Sequence, residues 1–148
     1  MNARKRAIPL VFAVTVVFYA VYLVAGFVRM RQLIPPASRF ADYFYSNFNS
    51  GDYAAMYESS AFKSCNCSVR LENFRELMKL VMDKLGRAQT WERTGFGVKS
   101  RGKAEVVTIR FRVRREKGES SERLTMWKKQ DAWQLTNYHV DSKELVKR

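Results

Sequence analysis

A chain of 148 residues with 27 Lys and Arg against 14 Asp and Glu carries a net charge of +13, and its size is that of one domain. Two cysteines, Cys65 and Cys67, are too few for a disulfide scaffold, so a hydrophobic core must hold the fold. No glycine-rich phosphate loop, nucleophile elbow, zinc-ligand spacing or paired-carboxylate motif occurs, which argues against enzymatic chemistry and implies no cofactor.

The first six residues form a short basic tail, and Ala7–Val28 follows without a single charge. A helix of that length spans roughly 30 Å at ~1.5 Å per residue, enough to cross the hydrocarbon of a bilayer. The stretch lacks the polar stripe of a soluble core helix, and Tyr19 and Tyr22 suit the interfacial half. A cleaved signal peptide with a small-residue site at Val24-Ala25-Gly26 is the alternative, but the apolar run exceeds the ~7–15 residues of a signal core. The first 41 residues contain no acid, so a mitochondrial presequence also stays open. Arg4-Lys5-Arg6 predicts a cytoplasmic amino terminus and a single-pass anchor with the remainder outside the cytoplasm; Arg29 and Arg31 reduce that asymmetry.

Five of the basic residues flank the apolar segment, which leaves 22 against all 14 acids beyond it, an excess suited to anionic lipid headgroups, nucleic acid or an acidic protein. Residues 29–37 are expected to be a linker, because Pro35-Pro36 breaks a helix and gives a stiff spacer. The folded domain is placed at residues 38–145. Phe40, Phe44 and Phe48, with Ala41 and Tyr45, recur at helical spacing, and Asn49-Ser50-Gly51-Asp52 supplies a stop and a new N-cap. A second short helix puts Tyr53, Met56 and Tyr57 on one face. After a loop over Ser59–Cys67, Ser68 is expected to cap a third helix with Leu71, Phe74, Leu77, Met78, Val81, Met82 and Leu85 on its apolar face before Gly86 ends it.

The period then changes to two, and strands are predicted over Thr90–Lys99, Ala104–Glu116, Ser120–Lys129 and Ala132–Val140. Val107, Ile109, Phe111 and Val113 alternate with Thr108, Arg110, Arg112 and Arg114, so one face of the second strand is buried and the other basic. A two-residue turn at Lys117-Gly118 pairs Phe111 with Leu124 and Ile109 with Met126; one at Gln130-Asp131 pairs Leu135 with Met126. Gly95 and Gly97 suggest a bulge that bends the sheet.

The whole is therefore α+β, three helices covering one face of a curved four-stranded antiparallel sheet. Asn49-Ser50-Gly51-Asp52-Tyr53, Phe62-Lys63, the helix from Phe74 ending at Leu85-Gly86, the Glu122-x-Leu124-x-Met126 strand and Trp133-x-Leu135-x-Asn137-Tyr138 resemble the NTF2-like superfamily, especially its small membrane-anchored bacterial families of unknown function. The resemblance implies a cone in which the bent sheet wraps the helices and leaves a pocket. That superfamily includes enzymes, ligand binders and secretion-system components, so it assigns no activity by itself.

On the predicted registers His139, the only histidine, shares the inner face with Trp133, Leu135 and Asn137, opposite Glu122. A His beside a carboxylate at a pocket mouth suits acid/base work, though an ion pair at the rim is the commoner outcome. Glu122, Asn137, His139 and Trp133 are accordingly the candidate pocket, for a small apolar ligand or for an isomerase- or dehydratase-like reaction. Cys65-Asn66-Cys67 offers two thiols, short of a metal site; a bridge to another chain and a strained local disulfide are the other options beside plain loop thiols. The aromatic stripe carrying Phe40, Tyr43, Phe44, Tyr45, Phe48, Tyr53 and Tyr57 reads as core before it reads as a cavity wall.

Arg110, Arg112, Arg114 and Arg115, with Arg123 expected opposite Arg112 and with Trp127 and Tyr138 on the same side, make a basic, aromatic outer face. This is the surface expected to contact an envelope protein, with anionic lipid headgroups as the other occupant and an ordinary solvated sheet face as the plain alternative; a domain outside the cytoplasm is not expected to meet nucleic acid. Self-association into a homodimer is left open.

Overall fold

The computed structural model describes residues 3–63, 69–101, 104–129 and 132–146. Helix α1 (Ala3–Ser50) is followed by α2 (Tyr53–Glu58), a 3-10 turn (Ala61–Lys63), α3 (Leu71–Leu85), strands β1 (Ala88–Arg101), β2 (Ala104–Arg115), β3 (Gly118–Lys129) and β4 (Ala132–Asp141), and a last turn of helix, α4 (Lys143–Val146). The fold is thus α+β, with a long apolar N-terminal helix and one four-stranded antiparallel sheet in the order β1-β2-β3-β4. Two compact units divide the chain, Met1–Pro35 and Pro36–Arg148.

In the first unit, one helix near the N-terminus is long and apolar enough to cross a membrane. From Val14 to Met30 its apolar side chains are exposed, Phe18 at 72% and Tyr22 at 76%, which a soluble core helix would not tolerate. The expected break at Pro35-Pro36 does not occur, and residues 29–37 are helical rather than a linker. The unit boundary falls between those prolines. Both prolines lie inside a continuous helix, where each removes one i→i−4 hydrogen bond.

In the second unit, Ala37, Ala41, Phe44, Tyr45 and Phe48 of α1 are buried at the expected helical spacing. Gly51, at φ 76°, ends the helix, and the Asp52 carboxylate accepts from the Ala55 N–H at 3.0 Å to start α2. Phe74, Met78, Val81 and Leu85 form the buried face of α3, whereas Leu77, assigned to that face, is 47% exposed. The N-cap of α3 is Arg70, without a side-chain bond; Ser68 lies outside the described residues. Val107, Ile109, Phe111, Val113, Leu124, Met126 and Leu135 are buried on the inner face of the sheet, each large apolar side chain contributing about 1.5–3 kcal/mol. Tyr45 is the hinge of the packing: it stacks on Trp91 at 4.8 Å and meets Phe111 edge-on at 5.8 Å. Asn49 ties helix to sheet, accepting from the Ala88 N–H and donating to its carbonyl, both at 2.8 Å.

Two details of register depart from expectation. The β2–β3 turn is Glu116-Lys117, so Arg115 faces Gly118, Phe111 faces Glu122, Ile109 faces Leu124 and Val107 faces Met126. A slip of two residues leaves every side chain on its original face, so alternation cannot choose between the registers. Contacts to the α3–β1 corner decide instead: the Lys117 N–H donates to Leu85 O at 3.0 Å and the Glu116 N–H to Arg87 O at 3.1 Å, while Lys117 Nζ donates to Asp83 O. Gly86, at φ 74°, lets the chain pass, since a Cβ there would lie 2.6 Å from Glu116 Oε2.

In β4 the pairing begins as expected with Met126 opposite Leu135, but Thr136 is then bulged out, so Asn137 faces Thr125, Tyr138 faces Leu124, His139 faces Arg123 and Val140 faces Glu122. The Thr136 hydroxyl donates to Thr125 O at 3.0 Å, and Leu135 pairs on its free edge with Ser60. The bulge reverses the parity of all that follows. Gln130-Asp131, the expected turn, lies outside the described residues, as do Cys65 and Cys67. The bulge predicted in β1 is present, as a register shift between Arg93 and Gly95.

Candidate functional site

The parity reversal separates the residues assigned to one pocket. Glu122 stays on the inner face, where it is 1% exposed, while Asn137 and His139 turn to the outer face and are exposed. Trp133 stays on the side of Leu135, half-buried and opposite Lys128. The histidine and carboxylate expected to work together are on opposite sides of the sheet.

Glu122 instead centres a closed polar cluster. Its Oε1 accepts from Arg115 Nε at 2.7 Å and Ser120 Oγ at 2.6 Å; its Oε2 accepts from the hydroxyls of Tyr45 at 3.1 Å and Tyr138 at 2.9 Å. Arg115, assigned to the outer face, is inside with it: both side chains of this ion pair are fully buried. Its Nη1 donates to Gly86 O at 3.0 Å, its Nη2 to Tyr138 Oη at 3.4 Å, and its guanidinium lies 4.5 Å from the centre of the Phe48 ring. Burial and then the charge of Glu122 hold the phenols of Tyr138 and Tyr45 well above the usual tyrosine value, both residues lying beyond the apolar segment 7–28. Burial opposes the charge of Arg115, but the bond to Glu122 and its charge outweigh this and raise its pKa. No buried side-chain polar atom among the described residues is without a partner. A network in which every buried polar atom has a partner holds the core together.

The outer face is different. Arg110 and Arg123 are direct cross-strand neighbours, with His139 next in the same row. Arg112 and Arg114 continue along β2, opposite Ser121 and Glu119, so Arg123 is not their partner as expected. Trp127 lies on this face, half-buried, but Tyr138 does not. Beside the arginine row is a cleft of about 420 Å³. Its floor is the row Gly97, Thr108, Thr125 and Asn137, one residue from each strand, and its cationic walls are Lys99, Arg110 and Arg123. Thr108 and Thr125 hydroxyls are 3.4 Å apart. A Cβ at Gly97 would meet nothing within 4 Å, while the stem of Arg110 runs 3.6–3.8 Å from where a Cβ of Gly95 would be. The two glycines therefore do separate things: one supports the arginine, the other opens the space.

No protein-family model matches this chain, and no curated protein matches its sequence. No acid lines the cleft, and among the described residues no salt bridge holds Arg110 or Arg123. Like charges directly opposite one another on a sheet cost about 0.2–1 kcal/mol, so the row is a liability for folding unless an anion meets it. The one signal of this site in the sequence was the arginine alternation of β2; the cleft itself depends on the β1 bulge and the β4 parity reversal.

Proposed function

We propose that the chain is a membrane-tethered, non-enzymatic binding domain that docks an acidic partner protein of the cell envelope on the outer face of its sheet. In this reading residues 7–28 span the bilayer with the amino terminus in the cytoplasm, and the domain, an NTF2-like cone of three helices on a bent sheet, stands outside. The cone reading rests on the α-before-β order, the bulge near Gly95 and the motifs quoted above. The observation that carries the function is the Arg110–Arg123 pair, neighbouring cations that no salt bridge holds among the described residues, on a face that also presents Trp127, Arg112 opposite Glu92 and Arg114 opposite Glu119. Charges disposed this way steer and orient an acidic surface.

The test is the mass and composition of the full-length protein extracted from its own membrane in mild detergent, for the wild type and for the triple variant Arg110→Glu/Arg112→Glu/Arg114→Glu. The expected result is a stoichiometric acidic partner lost on charge reversal while the melting temperature stays within a few degrees. Association that survives the reversal contradicts the proposal.

A further inference from the structure

The outer cleft has a size, a charge and a donor set of its own. At about 420 Å³ it falls in the range of small-molecule sites, well above what one side-chain carboxylate would fill. Lys99, Arg110 and Arg123 bring three positive charges to its lining, with no negative one. A carboxylate would leave most of that charge unbalanced, whereas a phosphate monoester, near −2 at pH 7, offsets most of it and has three terminal oxygens to share. The uncharged groups are suited to the same oxygens. Thr108 and Thr125 are opposite each other with their hydroxyls 3.4 Å apart, so both are within reach of one group placed above them, and the Asn137 amide, opposite Thr125, supplies another donor. Arginine is the side chain that matches phosphate in two-pronged fashion, and here two of them adjoin. The missing side chain at Gly97 keeps the floor low enough for the ligand to approach the backbone.

We propose that the cleft formed by Gly97, Lys99, Thr108, Arg110, Arg123 and Thr125 binds a phosphate monoester. The proposal rests on reading the outer face as the recognition surface, and it adds a small-ligand site to it. The ester belongs either to a soluble molecule or to a lipid headgroup, and the shared chemistry is the dianionic phosphate.

The probe is inorganic phosphate, titrated into the full-length chain in phosphatidylcholine nanodiscs and followed by amide chemical shifts. Saturable shifts confined to residues of the cleft are expected. Gly97→Leu fills the cleft without removing a charge, and is expected to weaken phosphate at least tenfold. Thr125→Val, which keeps the shape and removes one hydroxyl, is expected to weaken it roughly three- to tenfold. Non-saturable shifts, or binding unaltered in both variants, overturn the proposal, because surface attraction alone would survive them. Discs doped with phosphatidic acid separate the sources: competition with inorganic phosphate assigns the site to a headgroup, and undiminished phosphate binding assigns it to a soluble ester. If phosphate fails to bind while charge reversal still releases the protein partner, this inference falls and the docking reading stands.

Discussion

On the inner face of the sheet, Arg115 is held by Glu122 at 2.7 Å, by Gly86 O and by Tyr138, and lies over the ring of Phe48. On the outer face, Arg110 and Arg123 stand side by side with no salt bridge among the described residues. The same side chain, five residues apart on one strand, meets opposite conditions. Inside, the charge of Arg115 is met by Glu122 and by the groups bonded to the pair, and removing one member leaves the rest stranded in a medium that cannot solvate them. Outside, water screens the repulsion and the groups remain free for another anion. The contrast separates charge that maintains the fold from charge that is exposed at some cost to it.

The largest expected effect comes from breaking the inner cluster. Glu122→Leu leaves Arg115 buried and unpaired, and is expected to lower unfolding free energy by about 3–5 kcal/mol, measured by denaturant unfolding of the full chain in detergent. Adding Arg115→Met to it is expected to restore a large part of that loss, since an apolar pair of similar volume packs without the uncompensated charge. A double variant as unstable as the single one would show that the cluster does more than balance itself.

Next in size is the response to alkali. Tyr45 and Tyr138 keep their protons in the fold at a pH where the unfolded chain loses them, because burial and Glu122 raise their pKa values. Stability is therefore full below about pH 10, the ordinary tyrosine value, and falls as pH rises beyond it. Tyr138→Phe is expected to cost about 1–3 kcal/mol near neutrality through the lost bond to Glu122, and to flatten the alkaline decline. An unchanged slope in that variant would remove Tyr138 from the account.

The smallest effect has the opposite sign. Arg123→Thr relieves a like-charged pair and adds a β-branched residue to a strand, so a gain of about 0.2–1 kcal/mol is expected at low ionic strength, shrinking as salt is added. A loss of stability would mean that the outer arginines support the sheet after all.

How much of this was legible in the sequence follows from how local each determinant is. The uncharged run Ala7–Val28, the Gly51-Asp52 stop and cap, the end of α3 at Gly86 and the four strands are written in neighbouring residues, and the structure has them at or near the expected positions. The β2–β3 register was out by two because period-two alternation is blind to such a slip, and contacts from Glu116 and Lys117 to a distant corner settle it. The β4 bulge was invisible for a similar reason: the Thr136 hydroxyl reaches β3 and Leu135 reaches Ser60, neither of them close in sequence. That one residue moved Asn137 and His139 away from Glu122 and dissolved the expected pocket. Arg115 was a missed signal rather than an absent one, since it continues the odd-numbered series Val107, Ile109, Phe111 and Val113 and so belonged inside.

The most direct test of the contrast is the unfolding free energy of Arg115→Met beside that of Arg110→Met, each against the wild type in the same detergent and salt. The account predicts a loss of about 3–5 kcal/mol for the first and no loss for the second. Equal losses, or a larger one for Arg110→Met, would contradict it.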